Sequence, residues 1–179
     1  MQRLAKTNIM KQGFTLIEVI AVIIIIGILS AIVWNRHNST AAQLYTQTDV
    51  LKGHIRYAQT MAMNRTDGPL GSVNVWGIKC DGTNYWLFRG TNPDTLGNIF
   101  LLPDDSTYAD VNRKLTLSRK GITMTAFTVF FDEQGIPYSA YISPANAGNK
   151  AITTAQVITT SSGSDSRTVT ITPLTGFVP

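Results

Sequence analysis

Three textures follow one another along the chain. Residues 14–34 read FTLIEVIAVIIIIGILSAIVW, an apolar run broken by one charge, Glu18. At about 1.5 Å per residue such a helix is just long enough to cross a hydrocarbon layer of about 30 Å. Beyond it Leu44, Leu51, Ile55, Ala58 and Ala62 recur at threes, fours and one double step, the pattern of a helix with one buried stripe. Gly68-Pro69 discourages continuation, so the helix is expected to end between Asn64 and Asp67. Counted from Phe14 it would be about 80 Å long, with Gly53 as a weak point inside it.

From Pro69 onward the texture becomes short β-rich runs, at 73–79, 85–89, 98–102, 114–117, 122–131, 138–142, 156–160 and 168–172. Asp132-Glu133-Gln134-Gly135 and Ser161-Ser162-Gly163-Ser164-Asp165 read as hairpin connections. The expected fold class is α+β: a long N-terminal helix, membrane-spanning in its first half, packed against antiparallel β-sheets. The expected division is a leader over 1–13, a spanning segment over 14–34, an amphipathic continuation over 35–67 and a β-rich head over 68–179. The 179 residues leave room for one such globular domain.

Charge speaks to topology. Arg3, Lys6 and Lys11 precede the apolar run with no acid among them; without these three cations the fifteen basic residues fall to twelve, against eleven acids. The N-terminal excess places the leader in the cytoplasm and the C-terminal domain outside. The near-neutral remainder gives no ground for a nucleic-acid partner. A secretory signal peptide competes with this reading, but its cleavage site would have to follow the apolar run, where Leu29-Ser30-Ala31 has a bulky residue at a position needing a small one. A plain membrane anchor is a second competitor, and it gives no reason for Glu18.

An ionised carboxylate at that depth costs about 3 kcal/mol or more unless paired. Cleavage between Gly13 and Phe14 would create an α-amino group one helical turn from Glu18. Within one helix the two can interact; between packed helices Glu18 would neutralise a neighbour's amine and set the axial register.

Lys11-Gln12-Gly13-Phe14-Thr15-Leu16-Ile17-Glu18-Val19 resembles the prepilin peptidase site of type IV pilins and type II secretion pseudopilins. The resemblance implies cleavage after Gly13, N-methylation of Phe14, and an assembly role for Glu18. It also implies as partners the prepilin peptidase, other pilins or pseudopilins, an inner-membrane assembly platform and, before assembly, the lipid bilayer. Gly27 and Ala31 fit the small-residue pattern of such helices, whereas Asn35 stands where many major pilins carry a kinking proline. Residues 55–63, Trp76-Gly77-Ile78, 131–137 and 171–176 resemble the GspH/FimT group of minor pilins and pseudopilins, which implies a low-abundance subunit of a filament tip or initiation complex. The implied location is the bacterial inner membrane, crossed once, and then the pilus or pseudopilus.

No enzyme is expected, and no cofactor or metal: the sequence has no metal-spaced His/Cys cluster, nucleophile elbow or phosphate-binding glycine loop. Cys80 is the one cysteine, with His37 and His54 in the helical part, and reads as a small strand residue. Asp104-Asp105 supplies two neighbouring acids where a calcium cage needs about six to eight ligands. Asp132 and Glu133 read as turn acids. Some FimT-like minor pilins bind DNA through basic residues near their C-terminus, but this chain has no Lys or Arg after Gly176, and Arg167 is the nearest upstream. DNA is therefore not an expected partner, and Arg113, Lys114, Arg119 and Lys120 read as solvated residues beside a strand. The aromatic residues Trp76, Tyr85, Trp86, Phe88, Phe127, Phe130 and Phe131 are expected mostly in the core.

Overall fold

A computed structural model describes residues 15–37, 40–64, 74–103 and 109–179; of 31–37 and 40 only the backbone is described. The chain divides into two compact units, Met1–Ser39 and Thr40–Pro179.

The first unit contains helix α1, Leu16–His37. Thr15 caps it: its carbonyl accepts the N–H groups of Glu18 and Val19 at 3.1 and 3.3 Å, and its Oγ1 lies 3.4 Å from the Glu18 nitrogen. Thr15-Leu16-Ile17-Glu18 has the spacing of a capping box, with the acid three residues past the cap. The second unit begins with α2, Thr40–Asn64. The sequence pattern predicts one uninterrupted helix; the residues that would join α1 to α2, 38 and 39, lie outside the described residues. Among the described residues no helix is long and apolar enough to cross a membrane. The expected span over 14–34 takes in residue 14, outside that set, and 31–34, described in backbone alone.

In α2, Leu44, Leu51, Ile55, Ala58 and Ala62 are all buried, as the spacing predicts. The double step is filled by Thr48, also buried, whose hydroxyl meets the Leu44 carbonyl at 2.7 Å and Thr160 Oγ1 at 3.0 Å. Its polarity hid it from a hydrophobic periodicity, and those two bonds offset the cost of burying it. Gly53 faces open space, with nothing near where a Cβ would stand. Gly53→Ala is therefore expected to stabilise the fold by about 0.5–1 kcal/mol, through the entropy an alanine removes from the unfolded chain; a thermal melt that does not rise would refute it.

Among the described residues ten strands follow: β1 Trp76–Cys80, β2 Asn84–Arg89, β3 Ile99–Phe100, β4 Leu115–Thr116, β5 Thr123–Met124, β6 Phe127–Phe131, β7 Pro137–Ala140, β8 Lys150–Ala151, β9 Gln156–Ser162 and β10 Asp165–Ile171. The larger sheet runs β3-β2-β1-β6-β7-β8 with β4 on β2, and the smaller β10-β9-β5. Every pairing is antiparallel. The expected run over 122–131 is in fact two strands in different sheets. Of the residues in the core that α2 joins, Ile122 and Met124 fall on even positions and Phe127, Val129 and Phe131 on odd ones, with the even-numbered Phe130 buried on the other face. A change of parity in a period-two pattern is a change of face, and Thr125 marks the crossing by exchanging hydrogen bonds with Thr159. The short β8 was not expected; two residues, one of them lysine, carry no strand signal.

α2 packs against both sheets, and its stripe joins Trp76, Ile78, Leu87 and Val129 of the larger sheet with Ile158 and Val169 of the smaller one. Val75, Trp86, Phe88, Phe130 and Tyr141 form a second core on the other face of the larger sheet. Its central strands are thus buried on both sides, and all seven of the flagged aromatic residues are core.

Candidate functional site

The N-terminal constellation is the first candidate. Gly13 and Phe14, the expected cleavage and methylation residues, lie outside the described residues. Glu18 sits in the first turn of α1, where a negative charge complements the unpaired N–H groups of the helix start. Behind it, every side chain described in α1 is exposed, and the large apolar ones from Leu16 to Leu29 are 44–79% exposed. A helix apolar on all sides has no face to give to water. Ser30 hides its own polarity by donating to the Ile26 carbonyl at 2.7 Å, and Gly27 leaves a gap where another backbone could approach.

A second constellation lies in the head, where the segments resembling the GspH/FimT group meet around Gln59. Its amide donates to the Gly135 carbonyl at 2.9 Å and the Thr175 carbonyl at 2.8 Å. Gly135 and Gly176 have φ of 77° and 65°, and a Cβ on Gly176 would stand 2.8 Å from both Gln59 Nε2 and the Phe131 ring. Arg56 completes the clamp, donating through Nε and Nη2 to the Val178 carbonyl at 3.1 and 2.7 Å. These contacts tie helix, hairpin and C-terminal segment together. Sequence reasoning missed the role of Gln59, whose partners are 76 and 116 residues away.

Cys80 is buried in β1, and burial pushes its thiol up to about 11, the Gly82 N–H and the charge of Asp81 contributing less in opposite directions. His54 is turned to other partners, Tyr85 Oη at 3.0 Å and the Pro103 carbonyl at 3.1 Å; a neutral thiol in that setting is no nucleophile. Asp104 and Asp105 lie outside the described residues. Among the described residues no group of three His, Cys, Asp or Glu is placed to hold a metal. Asp132 shapes the β6–β7 hairpin, its Oδ1 accepting the N–H groups of Gln134 and Ile136 at 3.0 and 2.9 Å.

The four cations read as solvated are not alike. Lys120 is buried, Lys114 stands 3.8 Å over the Trp86 ring, and Arg113 donates to the Ile99 carbonyl at 2.9 Å. Arg119 is exposed. Upstream of the C-terminus, Arg167 lies 3.4 Å over the Tyr45 ring. Lysine and arginine stems packed on tryptophan and tyrosine in this way are partly committed to the fold.

Residues 9–34 match the family described as the prokaryotic N-terminal methylation motif. Comparison with curated proteins and with solved structures gives no match. The motif supports a type IV pilin-like prepilin, a substrate of prepilin peptidase destined for pilin assembly, and points to a structural subunit rather than an enzyme.

Proposed function

We propose that this chain is a minor pilin or pseudopilin of GspH/FimT type. In this reading the leader 1–13 is removed after Gly13, Phe14 is N-methylated, and residues 14–34 hold the protein in the inner membrane. The N-terminus is cytoplasmic and the head over 68–179 periplasmic or exported, with 35–67 joining the two. The subunit then enters the tip or initiation complex of a type IV pilus or type II secretion pseudopilus, where Glu18 sets its register. One observation carries the proposal: within the residues that match the methylation motif stands a helix that is apolar on every side, with Glu18 as its one charge from 16 to 30. Such a surface needs lipid first and other apolar helices afterwards. The commitment of Lys114, Lys120 and Arg167 to the fold counts against a DNA-binding role.

A photo-reactive residue at Ile24 tests this. It is expected to label lipid in membranes and pilin helices in sheared filaments. Labelling of lipid alone, with assembly under way, would contradict the proposal.

A further inference from the structure

The edges of the two sheets are not alike. Among the described residues, the larger sheet is bounded by β3 and β4 on one side and β8 on the other, and the smaller sheet by β5 on one side, all strands of two residues. The remaining edge is β10, seven residues long and paired with β9 along its whole length without a shift of register. A short edge offers a foreign strand little to pair with, whereas a long one presents a row of backbone donors and acceptors. β10 has no proline, lysine or bulge to blunt it.

The hairpin fixes which groups form that row. Ser162 pairs with Asp165 across the turn Gly163-Ser164, with Gly163 at φ 58°, so Asp165, Arg167, Val169 and Ile171 turn their N–H and C=O groups to β9. Ser166, Thr168 and Thr170 turn theirs outward, and no group among the described residues bonds to them. The same alternation holds on the far side of β9, where Thr159 exchanges hydrogen bonds with Thr125.

A strand on this edge has a precedent within the chain. Thr172, the next outward residue, donates its N–H to the Phe177 carbonyl at 2.8 Å, and Arg56 holds the Val178 carbonyl of the same returning segment. The row open to a newcomer is therefore centred on Ser166 and Thr168, both exposed.

Charge says what kind of strand fits. Asp165 and Arg167 share the α2-facing side of β10 with Val169 and Ile171 of the core. Arg167 lies 3.4 Å over the Tyr45 ring, a stacking that uses the face of the guanidinium and leaves its N–H edge for a carboxylate. Among the described residues no acid lies within ion-pairing distance of Arg167 and no cation within that distance of Asp165.

We propose that the outer edge of β10 receives an extended segment of a partner protein as an added antiparallel strand, with an acid opposite Arg167 and a base two residues later, opposite Asp165. Main-chain bonds to Ser166 and Thr168 supply the affinity, and the two cross-strand charge pairs select the partner. The proposal does not rest on the pilin reading, and its test needs only the folded chain.

The full-length protein, ¹⁵N-labelled in detergent micelles, is titrated with acetyl-Thr-Val-Thr-Glu-Thr-Lys-Thr-amide, whose glutamate would face Arg167 and whose lysine would face Asp165. The expected result is a saturable shift of the Ser166 and Thr168 amide signals, larger than that of Arg167 and Val169, whose N–H groups face β9. The peptide with glutamate and lysine exchanged sets like charges opposite each other and is expected to bind about fivefold more weakly. Thr168→Pro removes one outward N–H without touching the β9 ladder and is expected to abolish the shift. No saturable shift, equal binding of the two peptides, or unchanged binding in Thr168→Pro would overturn the proposal. So would Ser166 and Thr168 shifts that follow protein concentration alone, because the edge would then meet a second copy. Should Thr168→Pro lose its folded spectrum, Ser166→Pro decides, and unchanged binding there overturns it.

Discussion

Glu18→Ala is expected to leave the protein in the membrane and to reduce its incorporation into sheared filaments by tenfold or more. The substitution keeps the length and apolarity of the run, so insertion has no reason to fail. What disappears is the partner for the α-amino group that cleavage would create at Phe14. An uncompensated charge among packed apolar helices costs about 3–5 kcal/mol when its partner is removed, which is more than enough for a tenfold loss. Glu18 also stands at the third position past the Thr15 cap, and a weakened helix start costs about 1 kcal/mol. Glu18→Gln separates the two effects, because glutamine preserves the capping pattern but not the charge. If the charge is what assembly reads, glutamine behaves as alanine does. Restoration of incorporation by glutamine would make Glu18 a helix-capping residue and nothing more.

The second large effect belongs to the head. Gly77→Ala is expected to destabilise the fold by about 3 kcal/mol and to lower its melting temperature by on the order of 10 °C. A Cβ at Gly77 would press against the backbone carbonyl of Val129 and stand 2.5 and 3.0 Å from the Phe88 ring. Phe88 and Phe130, its cross-strand neighbours on either side, meet edge to face over it with centroids 5.0 Å apart. The ring has no free space to move into within that core, and a backbone carbonyl in the centre of a sheet cannot yield without breaking the ladder. Near-UV circular dichroism through a thermal ramp reads the change, and a melt within about 2 °C of the wild type would show that the core yields more easily than its packing implies.

Much of this was legible in the sequence because it rests on local repetition. The buried stripe of α2 shows as apolar spacing, and the hairpin at Asp132 shows as a turn composition whose side chain then accepts the N–H groups the turn leaves open. What stayed hidden depends on partners far away in sequence. Thr48 is polar and so fell out of the stripe, yet it is buried because Thr160 waits across the interface. Gln59 looks like any exposed helical amide until Gly135 and Thr175 are brought to it. The basic residues near β4 resembled a solvated group because sequence carries no sign that Lys114 will find Trp86 or that Lys120 will be buried. The split between β5 and β6 is the intermediate case: the parity change was present in the sequence, but it acquires meaning only when a second sheet exists to receive the strand.

In the proposed reading the N-terminal chemistry is of a different kind, since a peptidase would read it as sequence before any filament exists. Gly13, Phe14 and Glu18 therefore carry the functional reading although the structured head names no cargo. Intact-mass measurement with N-terminal sequencing of the protein extracted from its native membrane tests that reading most directly. The account predicts a chain beginning at N-methylated Phe14. A chain that retains Met1, or one cut near Ala31, would contradict it.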